Sequence, residues 1–93
     1  MSKDGFVSVW DAIEDTAAEA ENMKLRSILI MAIERHIRAN GWTQAEAARR
    51  LGVTQPRVSD LLRGKIALFG LDSLVNMATA AGLRIEMQIR AAA

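Results

Sequence analysis

The sequence predicts a mainly α-helical domain of 93 residues that ends in one β-strand. Hydrophobic residues make up 51% of the chain and aromatic residues only 4%, a mixture that favours packed helices over a β-sandwich. Apolar residues recur at steps of three and four through most of the chain, which is the period of an amphipathic helix. Only residues 83–90 alternate strictly between apolar and polar, which is the period of a half-buried strand.

The N-terminal arm comprises residues 1–20, and residues 1–15 have no sustained period. Its apolar side chains predict that it packs against another surface; they are Phe6, Val7, Val9, Trp10 and Ile13. Thr16 and Glu19 have the spacing of a capping box, so we expect a short helix to start at Thr16.

The next segment, residues 21–40, predicts one long amphipathic helix. Its apolar residues form one face and are Leu25, Ile28, Leu29, Ala32, Ile33 and Ile37. The pair Asn40-Gly41 is expected to end this helix, because glycine accepts the left-handed backbone that follows a helix.

Two short helices follow. Thr43 and Glu46 form a second capping box, and the helix that they open should run to Leu51 before Gly52. Thr54 then caps a helix that runs to Leu62 or Arg63. Pro56 fits the first turn of that helix because its missing N–H costs nothing there. The Thr54 hydroxyl should therefore cap the amide of Arg57.

These two helices, joined at Gly52, predict a helix-turn-helix. Ala47 and Ala48 are small where the second helix must cross closely, and Val53 fills the corner. Val58 and Leu61 are expected to anchor the second helix to the first. Two capped short helices also occur in ordinary bundles, which is the alternative interpretation.

The last helix is predicted over residues 72–81, with one apolar face made of Leu71, Leu74, Val75 and Ala78 and with Gly82 as its stop. The predicted strand over residues 83–90 places four apolar side chains on one side: Leu83, Ile85, Met87 and Ile89. A lone strand has unpaired edges, so we expect it to pair with the same strand of a second copy. Such a dimer presents two copies of the helix that Thr54 caps, ~34 Å or about one turn of DNA apart, to a palindromic DNA site.

The second short helix carries residue types that suit the DNA major groove. Gln55 can bond adenine and Arg57 can bond guanine through two hydrogen bonds, while Pro56 can contact a thymine methyl. Ser59 either reads a base or faces solvent, and Asp60 either accepts from cytosine or holds a nearby arginine. The candidate DNA-binding residues are Gln44, Thr54, Gln55, Pro56, Arg57, Ser59, Arg63 and Lys65. For Gln55 and Arg57 the alternative is contact with phosphates or water only.

The segment WTQAEAARRLGVTQPRVSDLLRGK, residues 42–65, resembles the xenobiotic-response-element family of phage-repressor-like regulators, in particular a small branch with many antitoxins. The resemblance spans roughly residues 8–90. It implies a phage-repressor-like bundle of about five helices, dimerisation and repression of the protein's own operon. One departure is Gly70, where relatives usually carry a serine cap for the last helix; glycine is a weaker cap.

The net charge of +1 hides an asymmetry. Six acidic residues and one lysine give residues 1–22 a charge of −5, while eleven Lys or Arg and five Asp or Glu give residues 23–93 a charge of +6. A basic body suggests a polyanionic partner, such as double-stranded DNA, and the acidic arm suggests a different, basic partner such as a toxin.

The composition also limits the function. The chain has no cysteine and one histidine, which excludes a disulfide scaffold and a thiol nucleophile and disfavours a metal site. No catalytic constellation supports an enzyme, and we expect no cofactor. No signal peptide or membrane-spanning run is present, so we expect a soluble cytoplasmic protein.

We therefore divide the chain into an acidic arm (1–20), a helix-turn-helix DNA-binding domain (21–82) and a dimerising strand (83–90). The first hypothesis is a sequence-specific repressor, the autoregulating antitoxin of a type II toxin–antitoxin module. The alternative is an interaction module that masks a partner protein without binding DNA, and the charge of +6 on residues 23–93 argues against it. The sequence names no operator, toxin or inducing signal.

Overall fold

The computed structural model describes residues 2–91, with side chains described for residues 16–91. Four α-helices and one 3₁₀ helix follow one another along the described residues. They are α1 (Ser2–Ala39), α2 (Gln44–Leu51), α3 (Gln55–Leu62), the 3₁₀ helix (Ile66–Leu68) and α4 (Leu71–Ala80). The predicted mainly helical fold is therefore confirmed. Within the described part of the chain, no helix is both long and apolar enough to cross a membrane.

One hydrophobic core joins all four α-helices. Helix α1 packs against α3, α4 and the 3₁₀ helix, while α2 packs against α3 and α4. The buried apolar side chains are Ile30, Ile33, Ile37, Ala47, Ala48, Leu51, Val58, Leu61, Phe69, Leu74, Met77, Ala78 and Ala81. Every α-helix contributes to this set, so the burial of apolar side chains in one core stabilises the body formed by residues 25–83.

Helix α1 is a single helix of 38 residues, which corrects the predicted break near Thr16. Thr16 lies inside the helix rather than at its start. The physical reason is that the one proline of the chain is Pro56, so no residue interrupts a helix that propagates from its packed half. Side chains 16–24 are all exposed. The predicted packing of the apolar arm residues lies outside the described side chains, and the three-part division of the chain stays a prediction.

The buried stripe of α1 is rotated relative to the predicted one. Ile33 and Ile37 are buried as expected, but Ile30 is buried in place of Ile28, which is 53% exposed. Both positions are apolar, so periodicity alone does not choose between them. The contacts with α3 and α4 decide the direction that faces the core.

Helix α4 starts one residue earlier than predicted and is capped weakly. Gly70 occupies the N-cap position with an extended backbone and forms no side-chain cap hydrogen bond. Leu74 and Ala78 are buried as predicted, whereas Val75 is 41% exposed and Met77 is buried in its place. The exposed Val75 side chain therefore joins a surface outside the core.

The predicted strand over residues 83–90 is wrong for the single chain: residues 83–91 have no regular secondary structure. A strand needs a neighbouring strand for its backbone N–H and C=O groups, and residues 2–82 provide only helices and turns. Leu83 is half-buried against the core. The other three residues of the predicted dimer surface are exposed: Ile85 at 38%, Met87 at 66% and Ile89 at 86%.

The tail, residues 83–91, borders an apolar groove of about 320 Å³ between α1 and α4. Its walls are mostly apolar and are formed by Leu25, Ile28, Leu29, Leu71, Val75, Ile85, Glu86, Met87 and Gln88. The alternation of residues 83–90 thus places Ile85 and Met87 beside exposed apolar side chains of two helices. The sequence pattern identified an apolar surface correctly, although not as part of a strand.

Candidate nucleic-acid interface

The turn between α2 and α3 has the geometry that its sequence predicts. The amide of Glu46 donates to the Thr43 hydroxyl at 3.1 Å, which caps α2. Gly52 ends α2 with φ 73° and ψ 32°, in the left-handed region that glycine adopts without strain. The amide of Val53 then donates to the Ala48 carbonyl at 3.0 Å. These bonds fix the direction in which the chain enters α3.

The inward side of the helix-turn-helix is fully packed. Ala47 of α2 is 0% exposed, and Val58 and Leu61 of α3 are also 0% exposed. Val53 packs partly buried against the same core. The small side chain of Ala47 lets α2 and α3 pack closely. Val58 and Leu61 fill the space between α3 and the rest of the core. The predicted anchors of α3 are therefore confirmed.

Helix α3 begins at the predicted cap. Thr54 has an extended backbone, with φ −81° and ψ 161°, and its hydroxyl accepts from the Arg57 amide at 3.4 Å. Pro56 lies in the first turn. The first turn of α3 is thus held by one side chain and by a residue with no amide to satisfy.

Most of the predicted site residues lie on the exposed surface around α3. Gln55 and Pro56 at its start are exposed, and Ser59 in its middle is half-exposed. Gln44 at the start of α2, Thr54 at the cap of α3, and Arg63 and Lys65 after α3 are also exposed. Seven of the eight candidates are therefore exposed or half-exposed without a contact that turns them back onto the domain like that of Arg57.

Arg57 folds back against its own domain. Its Nη1 atom donates to the Leu68 carbonyl at 2.7 Å. Its guanidinium carbon lies 4.1 Å from the centroid of the Phe69 ring, within the range of a cation–π contact. In this conformation the guanidinium faces the loop before α4 rather than the outward side of α3.

Two acidic residues near the site, Asp60 and Glu46, form ion pairs with basic side chains. Lys65 Nζ lies 3.5 Å from Asp60 Oδ1. Glu46 accepts hydrogen bonds from Arg49 and Arg50, which lower the pKa of its carboxyl below the ordinary value. The carboxylate half of the predicted capping box is therefore replaced by these ion pairs. Among the described side chains, Arg63 has no acidic partner.

The sequence analysis did not predict that three residues support the site: Arg26, Ile66 and Phe69. Arg26 of α1 donates from Nη1 to the carbonyls of Ile66 at 3.2 Å and of Phe69 at 3.4 Å. Phe69 itself is 1% exposed. The one signal in the sequence was the apolar run after Gly64, which indicates a buried loop. It does not indicate that Arg26 and Arg57 donate hydrogen bonds to that loop.

Two similarities to known proteins cover this region. The model of a family described as a helix-turn-helix domain matches residues 12–90. A solved structure described as an XRE family transcriptional regulator is 32% identical, with a TM-score of 0.73 over 80% of this chain and 83% of that chain. No curated protein matches the sequence significantly.

The left-handed turn residue gives a testable consequence. Gly52→Ala should lower the free energy of unfolding by about 1 kcal/mol, because an L side chain strains the left-handed backbone. Gly52→Asn should cost less, since asparagine tolerates this conformation. Urea denaturation with a shared m-value measures both. Equal losses for Gly52→Ala and Gly52→Asn would contradict the strain.

Proposed function

The chain belongs to the helix-turn-helix domain family, and we propose that it is a sequence-specific DNA-binding repressor of transcription. The observation that carries this proposal is the division of α3 into two sides. Its inward side is buried at Val58 and Leu61, and its outward side exposes small and polar groups at Gln55, Pro56 and Ser59. The similar structure described as an XRE family transcriptional regulator supports the same assignment.

The major groove of B-DNA is wide enough for one α-helix. With α3 in the groove, the side-chain amide of Gln55 forms hydrogen bonds with adenine, and the ring of Pro56 contacts a thymine methyl. Ser59, one turn further along, faces the next base pair. At the start of α3 the backbone amide of Gln55, which neither Thr54 nor a helical carbonyl occupies, donates to a backbone phosphate. Gln44 contacts a phosphate from the start of α2.

Arg63 and Lys65 provide the sequence-independent part of the affinity. Arg63 is exposed at the end of α3, where its charge can meet a phosphate. Lys65 is paired with Asp60 at 3.5 Å, with side chains 47% and 30% exposed. An exposed pair of this kind contributes little to stability, so a phosphate competes for the lysine at small cost.

We further propose that two copies bind a palindromic operator as a homodimer. The support is the exposed apolar surface around the tail groove, where Ile85 and Met87 lie beside Ile28 and Val75. Single exposed apolar residues are ordinary on a protein surface, whereas four that lie together around one groove mark a candidate interaction surface. A second copy that covers this groove buries all four and doubles the number of recognition helices.

The finer assignment is that of an autoregulating antitoxin. Residues 1–22 carry a charge of −5, and side chains 16–24 of α1 are all exposed. An acidic helix that no other part of the described chain covers at residues 16–24 suits a basic protein partner. A toxin is the partner that the resemblance of residues 42–65 implies. This assignment is independent of the DNA-binding surface, which lies on α3.

DNA binding is tested by salt. At low salt concentration the chain should bind DNA duplexes from a randomised pool. Its affinity for one selected duplex should then fall steeply as the salt concentration rises. Arg63→Ala should reduce the slope of that dependence by about one per chain, because one phosphate contact is lost. Lys24→Ala, which removes the same charge from exposed α1, is the control. Retention of no duplex at low salt would reject the repressor and favour a module that masks a partner without DNA.

The dimer is tested by sedimentation. Ile85→Asp with Met87→Asp should convert dimers to monomers, because two carboxylates would be buried without partners. Arg84→Ala with Arg90→Ala changes the net charge by the same amount and should leave the dimer intact. Dimers that persist in the aspartate variant would place the interface elsewhere.

The antitoxin role is tested in the neighbouring reading frame. Expression of its product alone should arrest growth, and co-expression of this chain should restore growth. Glu19→Lys with Glu21→Lys should weaken that rescue, because the charge of residues 1–22, which favours a basic partner, changes from −5 to −1. A neighbouring product without effect on growth would reject the antitoxin role and leave the DNA-binding proposal standing.

A further inference from the structure

The side chain of Arg57 lies on the flank of α3. Val58 and Leu61, both 0% exposed, define the inward direction of this helix. Successive residues of an α-helix are rotated by a constant angle, 3.6 residues to the turn. Pro56 and Arg63 therefore lie opposite the anchors, while Arg57 lies to one side, toward the loop before α4.

Two contacts hold Arg57 in that position. Its Nη1–H donates to the Leu68 carbonyl at 2.7 Å, a short bond from a charged donor. Its guanidinium carbon also lies over the Phe69 ring, 4.1 Å from the ring centroid. The planar guanidinium can stack with its face and donate from its edge at once, which a lysine ammonium cannot do.

The loop that Arg57 contacts is itself attached to the core. Phe69 is 1% exposed, and its ring packs in the same core as the anchors of α3. Arg26 of α1 donates to the carbonyls of Ile66 and Phe69 from the other side. Residues 66–69 are thus held between two arginines, one from α1 and one from α3.

We propose that Arg57 is a positioning residue, which fixes the orientation of α3 against residues 66–69 and does not read a base. The inference rests on the proposed DNA binding. To reach guanine, the guanidinium would have to give up both the Leu68 carbonyl and the Phe69 ring. Base reading then falls to Gln55, Pro56 and Ser59.

This role predicts a uniform effect on DNA binding. Loss of Arg57 loosens α3 as a unit, so every base contact weakens by the same factor. A base reader would instead lose discrimination at one base pair per half-site. A phosphate contact would lower the slope of the salt dependence by about one per chain.

The experiment compares the original chain with Arg57→Met on one selected duplex and on its full set of single-base-pair variants. We expect affinity for every duplex to fall by about tenfold, the size of losing a hydrogen bond from a charged donor, with base preferences and salt slope unchanged. A loss confined to one base pair, or a reduced salt slope, would overturn the proposal. If the original chain binds no duplex, the proposed function itself fails.

Two further variants separate position from charge. Arg57→Lys keeps the charge but should not restore affinity, and restoration would overturn the proposal. Phe69→Leu removes the ring from a side chain that is too buried to touch DNA, and it should also weaken all duplexes equally. Its affinities are measured at a temperature where circular dichroism shows the variant folded. Arg63→Ala, which should lower the salt slope, is the matched arginine control.

A measurement without DNA completes the test. In the free protein, Arg57→Met and Arg57→Lys should both shift the NMR resonances of the Phe69 ring protons, because the guanidinium leaves the ring face. Arg63→Ala should leave those resonances in place. Unchanged Phe69 resonances in both Arg57 variants would show that the contact does not form in solution and would refute the positioning role.

Discussion

The burial of Val58 and Leu61 is the interaction on which the rest of the structure depends. Helix α3 has only eight residues, too few to persist as a helix in water. It is helical because these two side chains complete the core between α1, α2 and α4, and because Thr54 caps its start. Their burial decides which side of α3 faces the core, and therefore which side chains face outward.

Local rules predicted the helix-turn-helix well. The caps at Thr43 and Thr54 and the left-handed turn at Gly52 depend on residues within four positions of one another, so the sequence contains all of their partners. These features needed no knowledge of distant parts of the chain, and the structure places them as expected.

Features that depend on distant partners were predicted less well. The alternation of residues 83–90 identifies which side chains share a side, but it does not provide the second strand that a sheet requires. The chemistry of Arg57 suits guanine, but the sequence does not reveal that its guanidinium contacts the Phe69 ring, twelve residues away. Ile28 and Ile30 are equally apolar, and only packing against α3 and α4 selects Ile30 for the core.

The separation between inward and outward residues of α3 has a consequence for how such proteins diverge. Val58 and Leu61 are buried and maintain the fold, whereas Gln55 and Pro56 are exposed and Ser59 is half-exposed. Substitutions on an exposed surface usually change folding free energy by less than about 0.5 kcal/mol. On the proposed DNA-binding role, gene duplicates can therefore acquire different target preferences at these three positions through a series of single substitutions, each of which leaves a folded protein for selection to act on.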